Sequence, residues 1–217
     1  MLLTEFDANR QAIINPEALH DPLEGFPKIA VSCFSRSTFQ RMLEMFPHEL
    51  IYETSMANVA IPIYKLVIDD NELAIFNAPV GASACVGILE DIFVLGADKL
   101  VLFVTCGVLD EDIKETSIII PSHALRDEGT SFHYVEASDE IAVNVGVLDR
   151  FRSYLNERQI SHKEGKVWTT DGIYRETNGK LKARKAAGAI CVDMECSAVA
   201  ALAKFRGVDI CHFFYAA

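Results

Sequence analysis

Two hydrophobic rhythms alternate along the chain: short apolar runs of strand length, and longer stretches with apolar residues at helical spacing. Lys28 to Cys33 reads as a short buried strand. From Ser37 to Phe46 the apolar positions Phe39, Met42, Leu43 and Phe46 predict a helix, and Pro47 stops it. Ala60 to Ile68 and Glu72 to Ala78 read as strands joined by a hairpin turn at Asp69-Asp70-Asn71. Ala84 to Leu95 reads as a helix ended by Gly96. Lys99 to Thr105 is the fully apolar run expected at the centre of a mixed or parallel sheet.

In the second half, Ser117 to Ile120 predicts a short strand broken by Pro121, and Asp139 to Arg158 a long amphipathic helix. Lys166 to Thr169 and Ala189 to Val192 read as strands, with a helix from Leu181 to Ala187 between them, ended by Gly188. Met194 to Arg206 predicts a helix closed by Gly207, and Val208 to Tyr215 a final buried strand. This alternation of strands and helices, without a repeat or a linker, predicts one α/β domain over residues 1–217.

Composition narrows the function. The 217 residues are half hydrophobic, enough for one substantial core. No stretch of 18 uninterrupted apolar residues predicts a membrane span, and Met1 to Asp7 lacks the basic and apolar regions of a secretory signal. The six cysteines form no C-x-x-C and no zinc-finger spacing, so they read as reduced, buried residues of a cytoplasmic protein, with no metal site. A formal net charge of −11 argues against nucleic acid as a partner.

Ligands of such sheets gather at the carboxyl ends of strands. Gly81 and Ser83, after the strand ending at Ala78, can hold an anion with backbone N–H groups, or Ser83 can simply cap the next helix. Thr105 ends the most apolar strand, where its hydroxyl can donate to an oxyanion or bond its own turn. Thr170, Asp171, Ile173, Tyr174, Arg175 and Glu176 form a dense polar stretch that can line a site for a flat polar base or form an ordinary turn with a solvated ion pair. Asp193, Met194 and Glu195 stand at a helix mouth. A carboxylate there can grip a polyol, with Met194 covering its apolar face, or it can merely complement the helix dipole.

The ordered set Gly81 to Ser83, Thr105-Cys106-Gly107, Arg126 to Ser131, Thr170-Asp171 and Val192 to Glu195 resembles the nucleoside phosphorylase superfamily, which contains uridine phosphorylase, hexameric purine nucleoside phosphorylase and the methylthioadenosine nucleosidases. The resemblance implies an α/β sandwich with a central mixed, largely parallel sheet flanked by helices. It implies phosphorolysis of a purine or pyrimidine nucleoside, with inorganic phosphate as co-substrate and no cofactor. Glu195 would hold the ribose hydroxyls and Met194 pack on the sugar, with Asp193 and the stretch from Thr170 to Glu176 completing the substrate site and Arg175 assisting the leaving base. Gly81 and Thr105, with Ser83 in the same turn as Gly81, are the implied phosphate contacts, and Arg36, Arg126 and Arg175 are the candidate cations for that site. A homo-oligomer, dimer or trimer of dimers, is implied as well. Where these phosphorylases carry an arginine before the threonine-glycine turn, the chain reads Leu102, Phe103 and Val104, which leaves a phosphate-independent nucleosidase or an inactive nucleoside-binding member as alternatives. The final stretch, Tyr215-Ala216-Ala217, stops where the family continues into a helix, so the sequence is expected to end short of it.

Overall fold

The computed structural model describes residues 2–114 and 117–216; Ala217, the end of the final stretch discussed above, lies outside the described residues. Strands β1 (Ile29–Cys33), β4 (Asn71–Asn77) and β5 (Lys99–Val108) follow apolar runs, with β1 parallel to both of the others. β2 (His48–Met56) and β3 (Val59–Ile68) extend that side as an antiparallel meander. On the other side lie β6 (Ile118–Asp127), β7 (Glu140–Ala142), β8 (His162–Thr170), β9 (Ala189–Asp193) and β10 (Asp209–Ala216). β10 pairs with both β5 and β6, so β5, β9, β8, β6 and β10 close into a ring. The sheet is mixed, as expected: β5–β10, β6–β8 and β8–β9 are parallel, while β5–β9, β6–β7 and β6–β10 are antiparallel.

Helices α1 (Arg36–Met45), α2 (Ala82–Leu95), α3 (Leu148–Glu157), α4 (Asn178–Ala186) and α5 (Cys196–Arg206) flank it. α2 and α5 are apolar over most of their surface. Cys85, Val86 and Leu89 of α2 share one core cluster with Ala198, Val199 and Leu202 of α5. At the far end of α5, Arg206 makes a two-pronged contact with Glu90, in the middle of α2, at 2.7 and 2.9 Å. Packing these two helices side by side brings their N-termini together, and the site is built there.

Three sequence expectations fail. Residues 139–158 are not one helix. Ile141 and Val143 alternate into the core as β7 pairs with β6, and positive φ at Asn144 (56°) and Gly146 (82°) turns the chain before α3 begins. Pro121 does not break its strand. β6 runs through it, and the register shifts there, a bulge that tolerates a residue without an N–H. Ser83 does not cap α2. Gly81 occupies that position, with φ of 100°, and Ser83 stands exposed in the first turn. β2 gave no sequence signal because it lies at the end of the sheet with one fully buried residue, Thr54, so its alternation is faint.

Candidate active site

β9 delivers Asp193 to the end of the sheet, and the chain turns through Met194 and Glu195 into α5. Asp193 accounts for that turn. Its Oδ2 accepts the N–H groups of Glu195 (3.1 Å) and Cys196 (2.7 Å), two otherwise orphaned donors, and its Oδ1 accepts the Thr169 hydroxyl at 2.7 Å. Thr169 in turn accepts the Ser197 N–H at 3.1 Å. Asp193 is thus a structural acid and a wall residue at once. Burial raises its carboxyl to about 6 despite these donors.

Glu195 is 3% exposed, yet its carboxylate borders a cavity of about 590 Å³. Its Oε1 accepts the backbone N–H of Gly81 at 2.6 Å. Burial, and then the negative charge of Asp193, push its carboxyl up to about 8, against the pull of that N–H. A carboxyl in this state ionises when a ligand supplies further donors.

The cavity lies at the carboxyl ends of β1, β5, β9 and β10. Its wall includes Phe34, Ser35, Val80, Thr105, Cys106 and Gly107, and also Ile173, Glu176, Met194 and Tyr215. The structure therefore brings together Thr105, Ile173, Glu176, Asp193, Met194 and Glu195 from the sequence-derived set. Gly81 joins them through its N–H. Thr170 is buried behind the wall and its hydroxyl accepts the Gly172 N–H at 3.3 Å. Asp171 accepts the Gly129 N–H at 2.9 Å. Tyr174, 94% exposed, and the exposed Arg175, Arg36 and Ser83 stand outside the wall.

Arg126 is turned away altogether. Its guanidinium donates to Ser131 Oγ (2.8 Å), the Glu136 carbonyl (2.7 Å) and Ser138 Oγ (2.9 Å), and lies 4.0 Å over the Phe132 ring. It holds its own loop together, and its donors are spent there. Phe34, Val80 and Tyr215 are wall residues that sequence reading missed. Tyr215 follows the strand-end rule, but its run reads as plain core.

Asp193, Cys196 and His212 present ligand-type atoms within 4.8 Å of one another in the interior. The three hydrogen bonds to Asp193 already explain its position as a helix cap. Burial drives His212 down to about 3, so its ring is neutral.

Residues 28–215 match the Phosphorylase superfamily. The guanosine phosphorylase of Halorubrum lacusprofundi is 22% identical over 148 residues, 67% of this chain and 61% of that protein. The chain spans less than two thirds of the length of this and of the next curated relative it matches. The uridine phosphorylase of Vibrio fischeri ES114 superposes with a TM-score of 0.81 at 18% identity, covering 95% of this chain and 86% of that one. The AMP nucleosidase of Bacteroides thetaiotaomicron superposes at 0.77 with 15% identity, covering 90% and 82%. None of the described helices is long and apolar enough to cross a membrane. With a match running from β1 to β10 and the mixed sheet to go with it, the chain belongs to the Phosphorylase superfamily.

Proposed function

We propose that the chain cleaves the N-glycosidic bond of a nucleoside and transfers the pentose to phosphate. The observation that carries this is the buried Glu195 carboxylate at a strand-end cavity, aimed by the Gly81 N–H, with Met194 beside it on the same wall. In this reading the ribose hydroxyls donate to Glu195 and replace the water it lost on burial. Met194 covers the sugar face. As the bond to the base lengthens, positive charge grows on the ring, and the fixed acidic groups favour that charge over the neutral ground state. Positioning supplies the rest. Thr105 stands on the wall as a hydroxyl donor to the attacking phosphate, and two cations adjoin the cavity lining in sequence: Arg36, at the start of α1 next to wall residue Ser35, and Arg175, next to wall residue Glu176. Oligomer assembly belongs to the same proposal.

Water as the acceptor is favoured by one observation: the described wall carries Glu176, Asp193 and Glu195 but no Lys, Arg or His. Base release from inosine, adenosine and uridine, followed with and without phosphate, decides between them. Phosphate-dependent release with formation of pentose 1-phosphate is expected. Equal release without phosphate replaces transfer by hydrolysis, and no release from any nucleoside overturns both.

A further inference from the structure

Three carboxylates share one cavity wall: Asp193 and Glu195, both buried, and Glu176 on the exposed side. The charge of Asp171 also reaches Glu195. The cations nearby in sequence are engaged elsewhere or stand outside. Lys180 and Arg184 both pair with Asp127 at 3.1 Å, and Arg126 is bound into its own loop. A concave site with walls of one sign focuses its field on whatever enters. Burial opposes ionisation of both Glu195 and Glu176. A positive charge inside the cavity reverses that, so that ligand and carboxylates stabilise one another.

Resting on the N-glycosidic reading above, we propose that the preferred substrate is an N-riboside whose heterocycle carries a fixed positive charge, such as a pyridinium or N7-alkylated purine riboside, with Glu176 beside the charged ring and Glu195 on the ribose hydroxyls. The chemistry balances without a proton donor for the base. The C1′–N bond breaks, its electron pair passes to the ring, and the base leaves neutral because that pair cancels its charge. The acceptor, phosphate or water, contributes the oxygen that bonds to C1′ and yields its proton to solvent. A wall without a cationic acid suits this departure. The substrate's charge also offsets the carboxylates that would otherwise repel an anionic acceptor.

The test uses the chain as it stands, with 7-methylguanosine and guanosine as a charged and neutral pair, in phosphate and in phosphate-free buffer. Base release is followed by chromatography for the parent and for Glu176→Gln. Comparing the two proteins cancels the greater intrinsic lability of the charged nucleoside. The parent is expected to show the higher kcat/KM on 7-methylguanosine. Glu176→Gln is expected to lower the charged-to-neutral ratio of kcat/KM by about tenfold, the effect of one partly solvated charge at close range. An unchanged ratio, or cleavage of guanosine, uridine or adenosine in preference to 7-methylguanosine, overturns the inference and leaves N-glycosidic cleavage standing. Release from no nucleoside, charged or neutral, defeats the underlying reading and this inference together.

Discussion

The backbone N–H of Gly81 donates to Oε1 of Glu195 across 2.6 Å, joining two turns 114 positions apart in sequence. Each turn begins a helix, α2 after Gly81 and α5 after Glu195, and the two helices pack along their length. The contact is the point where core packing becomes site geometry. It depends on the glycine, because φ of 100° at Gly81 is a conformation that L side chains rarely adopt.

Gly81→Ala tests this directly. A Cβ at this position would meet nothing within 4 Å, so the whole effect comes from the backbone. The expected cost is about 1–2 kcal/mol of stability, read as a lower Tm. Relaxation of the strained φ turns the N–H away from Glu195. Base release should therefore fall by about tenfold or more, beyond what the small loss of folded protein explains.

Glu195→Gln should separate stability from activity. The unfolded chain holds a glutamate near 4.3, while the folded site raises it to about 8. Between those values the folded protein keeps a proton that the unfolded chain releases. The stability this provides is complete below about pH 4.3 and is lost as pH rises through 8. Glutamine has no such proton to lose and keeps an oxygen for the Gly81 N–H. The Tm of the variant should match the parent near pH 4.5 and exceed it at pH 8.5, where the difference in stability is on the order of 2–4 kcal/mol. Its kcat/KM should fall on the order of 100-fold. The parent's kcat/KM should rise as pH climbs toward 8, since only the carboxylate accepts from both ribose hydroxyls. A pH-independent Tm difference would remove the raised carboxyl from the account.

Much of the fold was legible because its central strands, fully buried on one face and partly covered on the other, read as near-continuous apolar runs. Lys99 to Thr105 and Val208 to Tyr215 are examples, observed as β5 and β10. The strand-end rule found Thr105 and the turn at Asp193 to Glu195 for the same reason. Residues 139–158 were misread because Ile141 and Val143 alternate over too short a span to separate from the helical pattern that follows. Tyr215 and Phe34 stayed hidden because an aromatic residue lining a cavity has the same sequence signature as one in the core. Arg126 misled for a different reason. Charge suggests an anion contact, but the neighbouring Ser131, Ser138 and Glu136 carbonyl consume its donors, and sequence alone does not show which way a guanidinium points.

Arg126→Lys should therefore be a stability variant. An ammonium cannot reproduce the forked contacts to Ser131, Ser138 and the Glu136 carbonyl, nor the planar stacking on Phe132. Buried acceptors left without donors cost about 2–3 kcal/mol. Thermal melts should show that loss, and the KM for phosphate should move by less than about twofold, since an engaged guanidinium contributes little to a distant anion. A large rise in phosphate KM at unchanged Tm would return Arg126 to the phosphate site.

Thr169 links folding to chemistry one step further back. Its hydroxyl, fully buried, donates to Asp193 at 2.7 Å and accepts the Ser197 N–H at 3.1 Å, so one atom orients the acid and caps the helix. Thr169→Val keeps the volume and removes both bonds. The Ser197 N–H and one lone pair of Asp193 are then buried without partners, at a cost of about 2–3 kcal/mol. The Thr169 donor also pulls the Asp193 carboxyl down against its burial. Without it the proton is held more tightly, so the acid that fixes the Glu195 N–H is neutral over more of the range below neutrality. Activity of the variant should thus decline at a higher pH than that of the parent as the medium is acidified, while Thr169→Ser, which keeps the hydroxyl, should restore the parent profile. A Val variant with reduced Tm but an unshifted acid limb would confine Thr169 to a structural role.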